Sequence, residues 1–322
     1  MSQSTPTPAG ASAAGQTTFA SKLRAGQFVI TCELVPPKAP DFKPLIRRCD
    51  LLRGHVDAIN VTDCASAVLR MAPLPACHCI LGQGLETILQ TTCRDRNRLS
   101  LQADLIGAWA MGVRHVMALT GDYIHLGDHP TAKPVFDLDS VNYILMLAQL
   151  KQGRFFSGEE IRITKKTPLI PMDFTLGAAA NPFGVDLKIS AMHLAKKVEA
   201  GAEFLQTQPV FDLDQFRRWA KMMDEKGLLR KVKVLAGVMP PRSAKGLAFM
   251  KEEVPGVVIP DALIKRFETA QDPAAEGLKF AREVIDVILE HPGIAGIHFM
   301  PVGWEEVIPE LAAHCRDKRK PA

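Results

Sequence analysis

The chain has 322 residues, 47% of them hydrophobic and 23% charged, which suits one large α/β domain or two small ones. Its formal net charge of +4 comes from 39 basic and 35 acidic residues spread along the chain, so there is no electrostatic footprint for nucleic acid. No apolar run approaches the roughly 18 residues needed to cross a bilayer, because even the segment from Leu105 stops at Arg114, and this argues against a membrane protein.

The first 17 residues are rich in Ser, Thr, Ala, Gly and Pro and lack both a basic start and an apolar stretch. They read as a disordered tail rather than a signal peptide, which predicts a cytoplasmic protein. Seven scattered cysteines, an odd number mostly set in apolar segments, suit buried reduced thiols. The cluster Cys77-His78-Cys79 lacks the spacing of a tetrahedral site and reads as part of a buried helix, so no metal is expected there.

From Phe28 onward, short β-rich segments alternate with longer helical ones, the pattern of parallel βαβ units. Eight strands are predicted: Phe28–Leu34, Ala58–Thr62, Thr87–Thr91, His115–Leu119, Leu169–Thr175, Phe204–Thr207, Lys233–Ala236 and Gly296–Met300. Helices are predicted over Arg98–Met111, Ile189–Ala200, Leu213–Lys226 and Ala274–His291, with a last one near Glu305–His314. The count fits a single-domain (β/α)8 TIM barrel over residues 18–315, followed by a solvated basic tail over 316–322. An open doubly wound sheet is the alternative. It wants a Gly-rich phosphate loop after the first strand, where this chain has Val35-Pro36-Pro37-Lys38.

A barrel of this kind carries its chemistry at the C-terminal strand ends. The polar residues expected there are Glu33, Thr62 with Asp63, Gln90 with Thr92, Thr120-Gly121-Asp122, Asn181 and Gln208, with His298 inside the last strand. Glu33 lies between Cys32 and Leu34 before a stiff Pro-Pro turn, a dry setting that suits a general acid. A Glu paired with Lys38 or with one of Arg94, Arg96 and Arg98 is the competing reading. Gly121 would let the backbone approach a flat cofactor, and Asp122 would tune its charge; a Gly-Asp turn without a ligand is the alternative. His125, Asp128 and His129 read as solvent-facing or as phosphate contacts rather than as a metal site.

Five stretches carry a resemblance: Cys32-Glu33-Leu34-Val35-Pro36-Pro37-Lys38, Asn60-Val61-Thr62-Asp63, Cys93-Arg94-Asp95-Arg96-Asn97-Arg98, Leu119-Thr120-Gly121-Asp122 and Gln206-Thr207-Gln208. In order and spacing they resemble the methylenetetrahydrofolate reductase family from about Phe28 to about Glu306. The resemblance implies a flavin-bearing (β/α)8 barrel. Such an enzyme passes hydride to 5,10-methylenetetrahydrofolate, giving 5-methyltetrahydrofolate, with NADH, NADPH or another donor as its source. It further implies that Glu33 is the general acid that opens the imidazolidine ring to a 5-iminium cation, that Asp122 lies near the flavin pyrimidine and the pterin, and that Gln208 reads the pterin edge.

Thr62 and Gly121 would line the flavin, with Gln90, Thr92, Thr120 and Asn181 around it and Lys196 and Lys197 on its phosphates. FAD is the first expectation for that flavin and FMN the second. Gln90 stands where well-studied members carry a His, and Asn181-Pro182 stands where they stack a Tyr. The Arg-rich stretch and Phe136-Asp137-Leu138-Asp139-Ser140 look closest to the reductases of acetogens. That likeness implies a small zinc-containing partner subunit and an electron-transfer module, and a homo-oligomer is also expected. Two other readings compete with the reductase: a flavin-free pterin-binding barrel that transfers a methyl group or takes hydride directly, and a non-catalytic subunit of a reductase complex.

Overall fold

The computed structural model describes residues 18–184, 186–254 and 256–319. Eight strands pair in parallel and in chain order, and the last returns to the first, so the sheet closes into a barrel. They are β1 Val29–Leu34, β2 Ala58–Val61, β3 Thr87–Thr92, β4 His115–Leu119, β5 Thr175–Ala180, β6 Phe204–Pro209, β7 Lys233–Val238 and β8 Gly296–Phe299. Every connection runs through at least one helix, which parallel neighbours require.

The period of two along each strand divides the molecule into an inside and an outside. Ile30, Cys32 and Leu34 of β1, Ile59 and Val61 of β2 and Leu89 of β3 join the large cluster beneath the outer helices. Val29, Ala58, Ile88, Met117, Phe204 and Leu235 form a separate apolar plug inside the barrel. Phe19 and Leu23 of a short helix, Phe19–Arg24, complete that plug from below. Above it the inward positions turn polar: Thr31, Asn60, Gln90, Gln206 and His298 are all buried. The site is therefore built on a barrel whose lower half is dry and apolar.

The fifth strand departs from its expected place at Leu169–Thr175. Pro171 interrupts that run and cannot donate to a ladder. Met172 and Phe174 instead bury themselves on the outside, with Phe174 edge-on to Trp109 at 5.1 Å. The actual strand, Thr-Leu-Gly-Ala-Ala-Ala, is small because the barrel interior is full at that point. A Cβ on Gly177 would sit 2.3 Å from the ring of Phe204.

The C-terminal run also differs from expectation. The last helix, Ile308–Lys318, continues through Arg316, whose guanidinium donates to the carbonyls of Gly54 and His55 at 3.1 and 2.8 Å. Arg319 stacks over the ring of Phe28 at 4.2 Å. Residues 316–319 are exposed, as a solvated run is, but 316–318 continue the last helix and the cations of Arg316 and Arg319 find carbonyl and aromatic partners at the bottom of the barrel. The N-terminal tail expected over residues 1–17 lies outside the described residues.

Candidate active site

Glu33 ends β1 with its side chain 20% exposed, more open than the dry setting expected. None of the four basic neighbours considered for it is its partner here. Lys38 binds Asp128, Arg94 binds Asp95, Arg96 binds Asp63 and Asp104, and Arg98 binds Asp137. The carboxylate instead faces Gln90 Nε2 at 3.5 Å and His298 Nε2 at 3.8 Å. Glu33 thus keeps a carboxyl group at the barrel mouth that is not tied up in an ion pair with Lys or Arg, as a proton donor requires. Burial pushes the adjacent Cys32 thiol well above its ordinary pKa, which leaves it an inert wall.

A cavity of about 310 Å³ opens at the same end of the barrel, bounded by β3, β4, β6 and the segments that follow them. Gln90, Thr92, Thr120, Gly121, Asp122, Lys197 and Gln208 line it, seven of the expected site residues. Lys197 reaches in from the helix Leu187–Glu199 and donates to the Ala179 carbonyl at 2.7 Å. Burial pulls its pKa down, and the Asp139 carboxylate works against that shift. Its neighbour Lys196 is exposed and does not line the cavity.

Thr62 is 1% exposed, and its hydroxyl finds no hydrogen-bond partner among the described residues. A buried hydroxyl left unpaired costs free energy, so this atom calls for a partner that the described residues do not supply, although Thr62 is not among the residues lining the cavity. Asn181 is spent locally: its side-chain oxygen accepts from Phe183 N at 2.8 Å, closing a tight turn.

The loops around the cavity are laced by carboxylates. Asp122 Oδ2 accepts from Ser66 N at 2.8 Å, and Ser66 lies in a turn where Cys64, Ser66 and Ala67 all have positive φ. Asp63, almost fully buried, accepts from Thr92 N and Thr92 Oγ1 and from Arg96 at 2.6 Å. Arg94 holds the same strained turn through the Cys64 carbonyl. Removing one partner of such a buried charged cluster costs about 3–5 kcal/mol, so these arginines serve the architecture of the mouth. Gly121 is required by packing, and it also lines the cavity. Its φ is +95°, and a Cβ there would meet Arg94 Cβ at 2.9 Å and Thr92 Cβ at 3.0 Å.

The remaining expectations fall on the rim. Asp128 joins two loops by accepting from Leu69 N at 2.9 Å and Lys38 at 3.1 Å, while His129 pairs with it and His125 stacks on Tyr123. Cys77-His78-Cys79 lies on the helix Pro73–Gly82, with Cys77 buried and His78 exposed. Sequence reasoning did not single out Thr31 or Gln206, which sit one layer below the mouth. Their signal was available, because polar residues two positions before Glu33 and Gln208 fall on the same inward face.

Comparison with known proteins completes the description. The methylenetetrahydrofolate reductase family profile matches residues 18–315. Methylenetetrahydrofolate reductase 1 of Schizosaccharomyces pombe is 24% identical over 232 residues, covering 70% of this chain and 34% of that one. The 5,10-methylenetetrahydrofolate reductase of Pectobacterium carotovorum is 23% identical over 231 residues, 70% of this chain and 67% of that one. The chain therefore aligns with about a third of the yeast relative's length. A solved structure of an uncharacterized protein from Clostridium thermocellum, described as binding two copies of 5-methyl-5,6,7,8-tetrahydrofolic acid, superposes with a TM-score of 0.63. Its identity is 16%, covering 93% of this chain and 98% of that one, which is a likeness of fold.

Proposed function

Because the chain belongs to the methylenetetrahydrofolate reductase family, we propose that its barrel mouth interconverts 5,10-methylenetetrahydrofolate and 5-methyltetrahydrofolate. The observation that carries this reading is that Asp122 and Gln208 line one cavity with Gln90, whose amide meets Glu33 at 3.5 Å on the same barrel mouth. Glu33 delivers its proton to N10 of the folate as the bond from N10 to the bridging carbon breaks, leaving a cation at N5. The Asp122 carboxylate, held by Ser66 N, favours that positive charge. Gln208 offers both an acceptor and donors to the pterin edge.

The residues present suit a flavin: the Thr62 hydroxyl is free to bond it, and Lys197 presents a cation from the cavity wall. If bound here, FAD or FMN would supply the hydride that turns the bridging carbon into a methyl group. NADH or NADPH is the simplest donor. All seven cysteines are unbridged, as befits the reducing cytoplasm in which we place the protein. A homo-oligomer and, as in the acetogen branch, a small zinc-containing partner subunit with its electron-transfer module belong to the same reading. The native mass of the purified complex tests them.

The deciding experiment is an anaerobic visible spectrum of the purified protein. Flavin bands that bleach with NADH and return with methylenetetrahydrofolate are the expected result. A colourless protein that binds methyltetrahydrofolate and hands its methyl group to a corrinoid acceptor would replace this reading with methyl transfer. Within the reductase reading, Glu33→Gln is expected to abolish folate turnover while folate binding persists. Unchanged turnover would remove Glu33 from the chemistry.

A further inference from the structure

Beneath Glu33 the barrel holds a buried polar layer that the proposed chemistry does not use: Thr31, Asn60, Gln206 and His298, with Met117 beside them. We infer that this layer is a positioning device that fixes His298 as the neutral tautomer with its proton on Nε2, facing Glu33. The functional meaning of that tautomer rests on the reading of Glu33 as the proton donor.

The proton can be placed by following the donors. Asn60 Nδ2 lies 3.8 Å from the Met117 sulfur, a weak acceptor and no donor, so the amide rather than the carbonyl side of Asn60 faces it. With Asn60 so oriented, its amide pairs reciprocally with Gln206: Asn60 Nδ2 donates to Gln206 Oε1 at 2.6 Å, and Gln206 Nε2 donates to Asn60 Oδ1 at 3.0 Å. The Gln206 amine then also points at Thr31 Oγ1, at 3.4 Å, and donates to it. Thr31 has one proton of its own and two acceptors in reach, His298 Nδ1 at 2.9 Å and the Ile297 carbonyl at 3.5 Å. The shorter contact takes it. Nδ1 is therefore an acceptor, and the ring proton sits on Nε2, 3.8 Å from Glu33 Oε2.

The chemical consequence has a direction. An Nε2–H donates to a carboxylate but offers no lone pair to a carboxylic acid. His298 therefore favours Glu33 after it has given up its proton, which assists release toward the folate. In the opposite tautomer, the Nε2 lone pair would accept the Glu33 proton and hold it back. Four strands, β1, β2, β6 and β8, supply this chain of donors and β4 supplies the sulfur that orients it, so only the closed barrel assembles it.

Histidine side-chain 15N NMR on the full-length protein tests the assignment, with the His298 signal identified by its loss in His298→Asn. The expected spectrum shows a protonated Nε2 and a bare Nδ1; a ring protonated on Nδ1 would overturn the proposal. In Thr31→Val, which keeps the shape and removes the hydroxyl, the tautomer preference is expected to disappear. The same variant should lower kcat by about tenfold, the scale of one hydrogen bond to a charged group, with the KM for folate unchanged and with Thr31→Ser restoring both. A Thr31→Val protein with the wild-type ring signal and wild-type kcat would count equally against it. Should that variant fail to fold, the wild-type spectrum still decides. Because the ring signal is read without turnover, a wrong tautomer is distinguishable from a wrong assignment of the reaction, which Glu33→Gln tests.

Discussion

The polar residues at the barrel mouth divide into those spent on one another and those without such a partner, and the division follows from how each polar atom is satisfied. Thr92 lines the cavity, yet its N–H and hydroxyl are both committed to Asp63. Thr120 likewise accepts from Ser140 N at 3.2 Å. Under the proposed function, Glu33, Gln208 and Thr62 are the groups expected to meet the ligand, while Gly121 lets the chain pass between Thr92 and Arg94 on its way to Asp122. Gly121→Ala is therefore expected to destabilise the protein by about 1–3 kcal/mol, from the strained φ and the overpacked Cβ together. Chemical denaturation checks this, and a variant as stable as the parent would show that Thr92 and Arg94 yield freely.

Single carboxylates join the elements around the mouth. Asp137, in the segment after β4, accepts from Arg98 N at 2.9 Å and from the Arg98 guanidinium at 2.7 and 2.9 Å, clamping the start of the helix Arg98–Ala110. The hydrogen bonds from the Arg98 side chain, with that from its backbone N–H, hold the Asp137 pKa at about 2, below its ordinary 3.8. The unfolded chain binds that proton more readily, so the clamp contributes fully above 3.8 and is lost as the pH falls toward about 2. Wild type is accordingly expected to melt above Asp137→Asn at neutral pH, with the gap closing toward about pH 2. A gap that stays constant throughout that acid range would mean that Asp137 does not act through its charge.

At the scale of the whole molecule, the two ends of the barrel have separate tasks. The lower end is sealed by the helix Phe19–Arg24. Phe19 is 1% exposed, edge-on to His115 at 5.0 Å and to Phe204 at 5.6 Å. Its N–H donates to both oxygens of Glu86 at 3.1 Å, and Glu86 also meets His115 Nε2 at 2.8 Å. Phe19→Ala is expected to cost about 3–5 kcal/mol of stability, the range for emptying a buried aromatic site. Folate turnover at a permissive temperature should be unaffected, because the plug lies at the opposite end from the mouth. A change in kcat without a change in stability would mean that the two ends communicate.

The alternation of apolar strands and amphipathic helices made the closed barrel legible from the chain, because a period of two followed by one of 3.6 admits few architectures. It also placed Glu33, Gln90, Asp122 and Gln208 at strand ends, which in a parallel barrel share one face. The fifth strand was misplaced because local hydrophobicity marks burial, not side: Met172 and Phe174 are buried outside the sheet, while Gly177 and its alanines are small for want of room inside. The six-residue helix at Phe19 has too short a pattern to stand out, and its reason for existing is the open lower end of a barrel. Arg94, Arg96 and Arg98 were each a candidate partner for Glu33, and only their distances to Asp63, Asp95, Asp104 and Asp137 show them spent on other carboxylates. What the chain by itself determined is the kind of fold and which polar residues stand at the strand ends, since both follow from local periodicity. Only the tertiary structure decided which polar atoms are spent on one another and which remain for a ligand, because hydrogen bonds join residues far apart in the chain.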